Sequence, residues 1–126
     1  MTTHTLLILA GLHSLGFALF HAGFWRLFRW PQSLQQTSLA NRAIVQIANL
    51  QLIWLFVFVA GLCFCFPDAL VATALGRALL LAMSLFWIIR LAGQLVWLRF
   101  NHPGLHVLSL LFATGAAAFA WPLFAT

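Results

Sequence analysis

The chain reads as four long apolar stretches separated by short polar segments. The stretches cover residues 5–25, 43–65, 74–98 and 105–124. A helix needs about 20 mostly apolar residues to cross the hydrocarbon core of a bilayer, and each stretch has that length. The sequence therefore predicts four transmembrane helices within a single membrane domain, residues 1–126.

The polar segments carry residues that are typical of helix starts and tight turns. Ser38 or Asn41 is placed to cap the second predicted helix, and Asp68 or Thr73 is placed to start the structure that follows it. Residues 101–104, Asn-His-Pro-Gly, predict a turn into the fourth helix. Because the connections are short, neighbouring helices have to run in opposite directions. We expect an all-α integral membrane protein, an antiparallel bundle of four transmembrane helices.

The composition excludes the classes of protein that need a water-facing surface. Hydrophobic residues make up 64% of the chain and charged residues 6%, whereas soluble domains have roughly 25% charged residues. The pI of about 11.7 reflects an almost complete lack of acids, and the six basic residues form no run. We therefore expect membrane lipids, and not nucleic acid, as the partners of the arginines.

The arginines are distributed unevenly between the connections. Arg26, Arg29 and Arg42 flank the first connection and Arg99 the third, whereas Arg77 alone lies near the second. Basic residues accumulate on the cytoplasmic side of membrane proteins. The sequence thus predicts that the N- and C-termini lie outside the cytoplasm, and we expect the inner (cytoplasmic) membrane of a bacterium.

All four predicted helices bring polar side chains to the same layer of the membrane. At a rise of 1.5 Å per residue, this layer extends to a depth of about 12 Å from the arginine-bearing boundary. Its members are His21, Gln46, Asn49, Arg90, Gln94 and His106. Polar residues inside a membrane are costly and mark functional sites or interhelical contacts.

Arg90 stands out because its charge costs roughly 2.5–3.5 kcal/mol on insertion scales and no predicted span contains an acid. Gln94 and Trp87 share its helix face, and Asn49 and Gln46 reach the same layer from the second helix. Two interpretations stay open. Arg90 extends to the headgroups and clamps the bundle, or these five residues bind a phosphate, a carboxylate or a quinone oxygen.

His21 and His106 lie at similar depths on different predicted helices. Two neutral imidazoles that face each other across a bundle are able to ligate a b-type haem. The alternatives are another metal, or two histidines that simply pack or lie at the interface. The sequence leaves these alternatives open.

The lack of acids also limits the function. A carrier driven by protons or sodium needs a titratable carboxylate within the membrane, and a catalytic triad needs an acid partner. We therefore expect a non-enzymatic accessory or structural subunit of a membrane complex, or a homo-oligomer, that holds a lipid or a hydrophobic anion. The alternatives are an electron-transfer protein that binds haem or quinone, and a small anion channel or carrier.

Overall fold

The computed structural model describes residues 2–99 and 101–125 of the chain. Its elements, in chain order, are α1 (Thr3–Ala22), α2 (Phe24–Leu27), a 3₁₀ turn (Gln32–Leu34), α3 (Leu39–Cys65), α4 (Pro67–Ala72), α5 (Ala74–Trp97) and α6 (Pro103–Phe124). Helices α1, α3, α5 and α6 are long and apolar enough to cross a membrane, and no strand occurs in the described part of the chain. The predicted all-α bundle of four antiparallel transmembrane helices is confirmed.

Each transmembrane helix begins at a residue whose side chain accepts a hydrogen bond from the first turn. Thr2 and Ser38 accept from backbone N–H groups at 3.2 and 3.1 Å, and Thr73 and His102 do so at 3.0 Å. Such caps pair backbone donors that the helix itself leaves free. Thr73 therefore starts α5, whereas Asp68, its alternative in the sequence, lies inside the short helix α4.

The bundle consists of two hairpins. The first hairpin is α1 with α3, the second is α5 with α6, and α1 packs against α6 between them. Ser14 Oγ donates to the carbonyl of Phe56 at 2.7 Å in the first hairpin, and Ser84 Oγ donates to the carbonyl of Ala116 at 2.8 Å in the second. Side-chain hydrogen bonds of this kind fix helix pairs where water is absent.

Helix α4 closes the bundle between the two hairpins. A Cβ atom on Gly76 would lie 2.3 Å from the carbonyl oxygen of Ala69, so only glycine lets α4 and α5 approach this closely. His4 on α1 also contacts α4, with its Nε2 atom 2.7 Å from Oδ1 of Asp68. The one acid in the sequence is thus paired at this end of the bundle.

The opposite end carries residues 23–38, which connect α1 to α3, and residues 98–99 and 101–102, which lie between α5 and α6. We call it the arginine-rich end, because Arg26, Arg29, Arg42 and Arg99 lie there. The structure shows four helices suited to span a membrane, and the chain is therefore an integral membrane protein.

Candidate functional site: a cavity around Arg90

A cavity of about 1210 Å³ lies in the half of the bundle toward the arginine-rich end. It is placed between α1 and α6, with α3 and α5 behind it, and most of its lining is apolar. Aromatic rings form much of this lining: Phe17, Phe20, Phe24, Phe28, Phe56, Phe86, Trp87 and Phe112. Leu12 of α1 and Val107 of α6 line the cavity and are also exposed. The cavity therefore opens sideways between α1 and α6, toward the surrounding lipid.

The cavity is closed near the middle of the bundle, where α1 and α6 meet. His13 Nε2 lies 2.9 Å from the carbonyl oxygen of Leu111. Since a carbonyl only accepts hydrogen bonds, Nε2 carries the proton and donates it. Gly115 makes this approach possible, because a Cβ atom there would lie 2.6 Å from His13 Cε1 and 2.9 Å from Trp87. We call this region the closed end of the cavity.

Trp87 is the centre of the aromatic packing around the closed end. Its ring is 1% exposed, stacks with Phe56 and Phe112 at centroid distances of 5.5 and 5.7 Å, and meets His13 edge-on at 5.0 Å. The Trp87 Nε1 and His13 Nδ1 atoms are buried and have no hydrogen-bond partner among the described residues. Trp87 thus contributes mainly shape and apolar surface to the cavity.

Arg90 lies one helical turn beyond Trp87 and brings a positive charge into the cavity. Its Cζ atom is 4.6 Å from the ring centroid of Phe112, a distance at which cation–π attraction is effective. In the described part of the chain, no hydrogen-bond acceptor or carboxylate pairs with the guanidinium, and its side chain is exposed. The only acid, Asp68, is engaged with His4 at the other end of the bundle.

His21 lines the same cavity as Arg90, on the side of α1. Its Nδ1 atom lies 2.9 Å from the carbonyl oxygen of Phe17, so Nδ1 donates and the neutral ring presents Nε2 as an acceptor. The ring stacks on Phe24 with centroids 4.3 Å apart. His102 also lines the cavity. The polar part of the lining is therefore basic.

The amides of α3 were predicted to bind the same ligand as Arg90, and the structure places them in contacts between elements. Asn49 Nδ2 donates to the carbonyl of His21 at 2.9 Å. Gln46 accepts from Trp25 Nε1 at 3.0 Å and donates to the carbonyl of Arg42 at 3.0 Å. Neither side chain lines the cavity. Asn49 therefore acts on the site indirectly, by holding the end of α1 that carries His21.

Gln94, on the Arg90 face of α5, points to a different place. Its Nε2 donates to the Leu105 carbonyl at 2.9 Å and to Ser109 Oγ at 2.7 Å, and it lines a second pocket of about 380 Å³. Of the five residues predicted to bind a ligand, the structure brings only Arg90 and Trp87 together in the cavity.

The two histidines of the haem hypothesis line different cavities. His21 lines the cavity around Arg90, whereas His106 lines the second pocket. His106 Nε2 donates to Asn101 Oδ1 at 2.9 Å. No group of three or more residues suited to hold a metal ion occurs among the residues that the structure describes. Haem binding by His21 and His106 stays a prediction.

No protein-family model matches the chain, and neither a curated protein nor a solved structure is significantly similar to it. A functional interpretation must therefore start from the cavity itself. Arg90, a cation with no anionic partner among the described residues, lies in an aromatic cavity that opens toward lipid. This arrangement is suited to bind a molecule with one negative group and a large apolar part.

Sequence reasoning missed two residues of this site. Phe112 contacts the Arg90 guanidinium from α6, whereas the sequence predicts partners only at the same depth or on the same helix face. His13 was not assigned to the site, although it joins α1 to α6. Helical periodicity identifies neighbours within one helix, but it contains no information on which ring of another helix lies opposite.

Proposed function

We propose that the protein is a non-catalytic membrane protein that holds an anionic lipid, or another hydrophobic anion, in the cavity around Arg90. It would do so as a small subunit of a larger membrane assembly or as a homo-oligomer. The negative group of the ligand faces the Arg90 guanidinium, and its apolar part lies against the aromatic lining. No step of this function requires a reaction.

The unpaired charge of Arg90 carries the proposal. A cation within a membrane span costs roughly 2.5–3.5 kcal/mol on insertion scales, and the contact with Phe112 returns only part of this, about 0.5–2 kcal/mol. The sequence holds a single acid, and that acid is paired elsewhere. A ligand anion is the group that would neutralise the guanidinium.

The size and the opening of the cavity indicate an apolar molecule of lipid size. Cavities that hold small ligands measure roughly 300–1,000 Å³, and this one measures about 1210 Å³. Its side opening between α1 and α6 lets a ligand enter from the bilayer without crossing water. Acyl or isoprenoid chains are the ordinary apolar molecules at that depth.

The distribution of the arginines favours a ligand of the cytoplasmic leaflet. We propose that the arginine-rich end lies at the cytoplasmic face and that both termini lie outside, as the excess of arginine in its connections predicts. Anionic lipids give this leaflet its negative surface potential. Many large apolar side chains on the outside of the bundle are exposed, which suits contact with lipid or with further subunits.

Thermal unfolding in a neutral detergent tests the proposal. Phosphatidylglycerol should raise the melting temperature of the wild type more than phosphatidylcholine with the same acyl chains does. Arg90→Gln should abolish this difference, and Arg90→Lys should reduce it, because lysine keeps the charge but loses the planar set of donors. Arg26→Gln is the control, since it removes one arginine at the same end but outside the cavity.

The three variants separate a site from a general attraction of anions. If Arg90→Gln and Arg26→Gln respond to phosphatidylglycerol like the wild type, Arg90 does not bind the lipid and the proposal is wrong. Equal losses in both variants would indicate nonspecific binding to the arginine-rich end, which also contradicts it. Native mass spectrometry after delipidation and addition of phosphatidylglycerol provides an independent count of bound lipid.

A further inference from the structure

We propose that the cavity selects a phosphate monoester, the headgroup of a phosphorylated hydrophobic alcohol, over phosphate diesters and carboxylates. The inference rests on the proposed function, because it names the ligand class of the same cavity. It follows from the presence of His21 and Arg90 in the lining of one cavity, which gives the negative group of the ligand a second partner.

The ring of His21 is held in a fixed orientation. Its Nδ1 donates to the carbonyl of Phe17 at 2.9 Å, and its plane stacks on Phe24 at 4.3 Å. Asn49 holds the backbone of the same residue from α3. With Nδ1 engaged, Nε2 is the atom that remains for a ligand, and no described residue makes a hydrogen bond to it.

A monoester satisfies this pair of groups in either protonation state. Its second pKa is about 6, so near neutral pH it exists both as a monoanion with one P–OH group and as a dianion. The P–OH group of the monoanion donates to a neutral His21 Nε2 while another oxygen accepts from Arg90. The dianion instead matches two cations, a protonated His21 and Arg90.

A diester or a carboxylate lacks both possibilities. Each of these groups carries a single negative charge near neutral pH and has no proton to donate. Bound at Arg90, it would leave an acceptor atom of His21 without a partner, or a second positive charge without compensation. Both situations are unfavourable inside an apolar cavity. The pair of His21 and Arg90 therefore discriminates by the esterification of the phosphate.

Two matched lipids that differ by one methyl group test the inference. Dioleoyl phosphatidate is the monoester, and dioleoyl phosphatidylmethanol is the diester with the same chains. We expect the wild type to bind phosphatidate about tenfold more tightly, as one additional hydrogen bond to a charged group predicts. Farnesyl phosphate and its monomethyl ester form a second pair, which shows whether an isoprenoid or a diacyl chain is preferred.

His21→Phe should remove the preference, because phenylalanine keeps the stacking on Phe24 but lacks Nε2. His106→Phe is the control, since His106 lies in the second pocket and its loss should leave the tenfold ratio intact. Affinities come from native mass spectrometry in detergent. Equal binding of both dioleoyl lipids by the wild type would overturn the inference, as would an unchanged preference in His21→Phe.

Two further measurements keep the result unambiguous. If His21→Phe does not fold, ¹⁵N-histidine NMR of the wild type takes its place. Phosphatidate should shift one Nε2 signal, whereas phosphatidylmethanol should not. The same Nε2 signals with both lipids would overturn the inference. Arg90→Gln should weaken the binding of both lipids. If Arg90→Gln weakens the binding of neither lipid, the proposed function itself fails. If it weakens the binding of both lipids while the wild type binds them equally, only the selection of monoesters fails.

Discussion

The closed end of the cavity depends on the missing side chain of Gly115. In Gly115→Ala the added Cβ atom would lie 2.6 Å from His13 Cε1 and 2.9 Å from two ring atoms of Trp87. Trp87 is 1% exposed and packed by aromatic rings, so His13 has to move and its hydrogen bond to Leu111 is strained. Overpacking costs about 1–3 kcal/mol, whereas alanine favours a helix by about 0.5–1 kcal/mol. We expect a net destabilisation of about 1 kcal/mol, within the span of about 0–2.5 kcal/mol that these two contributions leave.

The assay is reversible unfolding in mixed micelles by increasing fractions of a denaturing detergent. The matched control is Gly61→Ala in α3, where the new Cβ atom would meet no heavy atom within 4 Å. The control should be neutral or more stable by up to about 1 kcal/mol, because only the helix preference acts. If both variants changed stability equally, the close contact of α1 with α6 at Gly115 would not exist, and the position assigned to the closed end would be refuted.

Three other predictions concern packing, topology and haem. Ser14→Ala should lower the free energy of unfolding by about 0.6 kcal/mol, the average for hydrogen bonds between membrane helices. Thr114→Ala should lower it less, because Thr114 bonds to a carbonyl of its own helix. Equal losses in the two variants would contradict the role of Ser14 in the first hairpin. A reporter fused after Thr126 should be active only if it functions outside the cytoplasm, and activity of a cytoplasmic reporter would reverse the topology. If His21 and His106 ligate haem, protein purified from haem-replete cells should show a bis-imidazole absorption spectrum that His21→Ala or His106→Ala abolishes. A protein that stays colourless after haem is added would end the haem hypothesis.

The fold could be predicted because each of its main determinants is local in the sequence. The length of an apolar run, read directly from the sequence, shows whether a helix is able to cross a bilayer. A polar residue just before such a run caps the helix. Ser38 caps α3 in this way. The short helix α4 was not predicted. It has six residues and begins with proline, and a sequence this short does not distinguish a helix from a turn unless its tertiary contacts are known.

The site could be predicted only in part because its contacts join different helices. The sequence alone shows that Arg90 is a charge with no acid in its span, since this follows from composition. The ring that its guanidinium contacts could not be identified, because Phe112 lies on α6. The apolar pattern of α6 continues around the whole helix and does not fix the rotation of this helix about its own axis. The same uncertainty explains Gln94, which shares a helix face with Arg90 but bonds to Ser109.

The division into two hairpins has a consequence for how the protein is made. The bond from Ser14 to the carbonyl of Phe56 uses only residues that have been synthesised before α5 emerges from the ribosome. The first hairpin therefore contains every residue of its own polar contact before the second hairpin has been synthesised. The contact of His13 with Leu111 requires α6, which follows α1, α3 and α5 in the chain. The cavity between α1 and α6 is therefore complete only after the second hairpin has joined the first, so a ligand from the bilayer is able to occupy it only from that step onward.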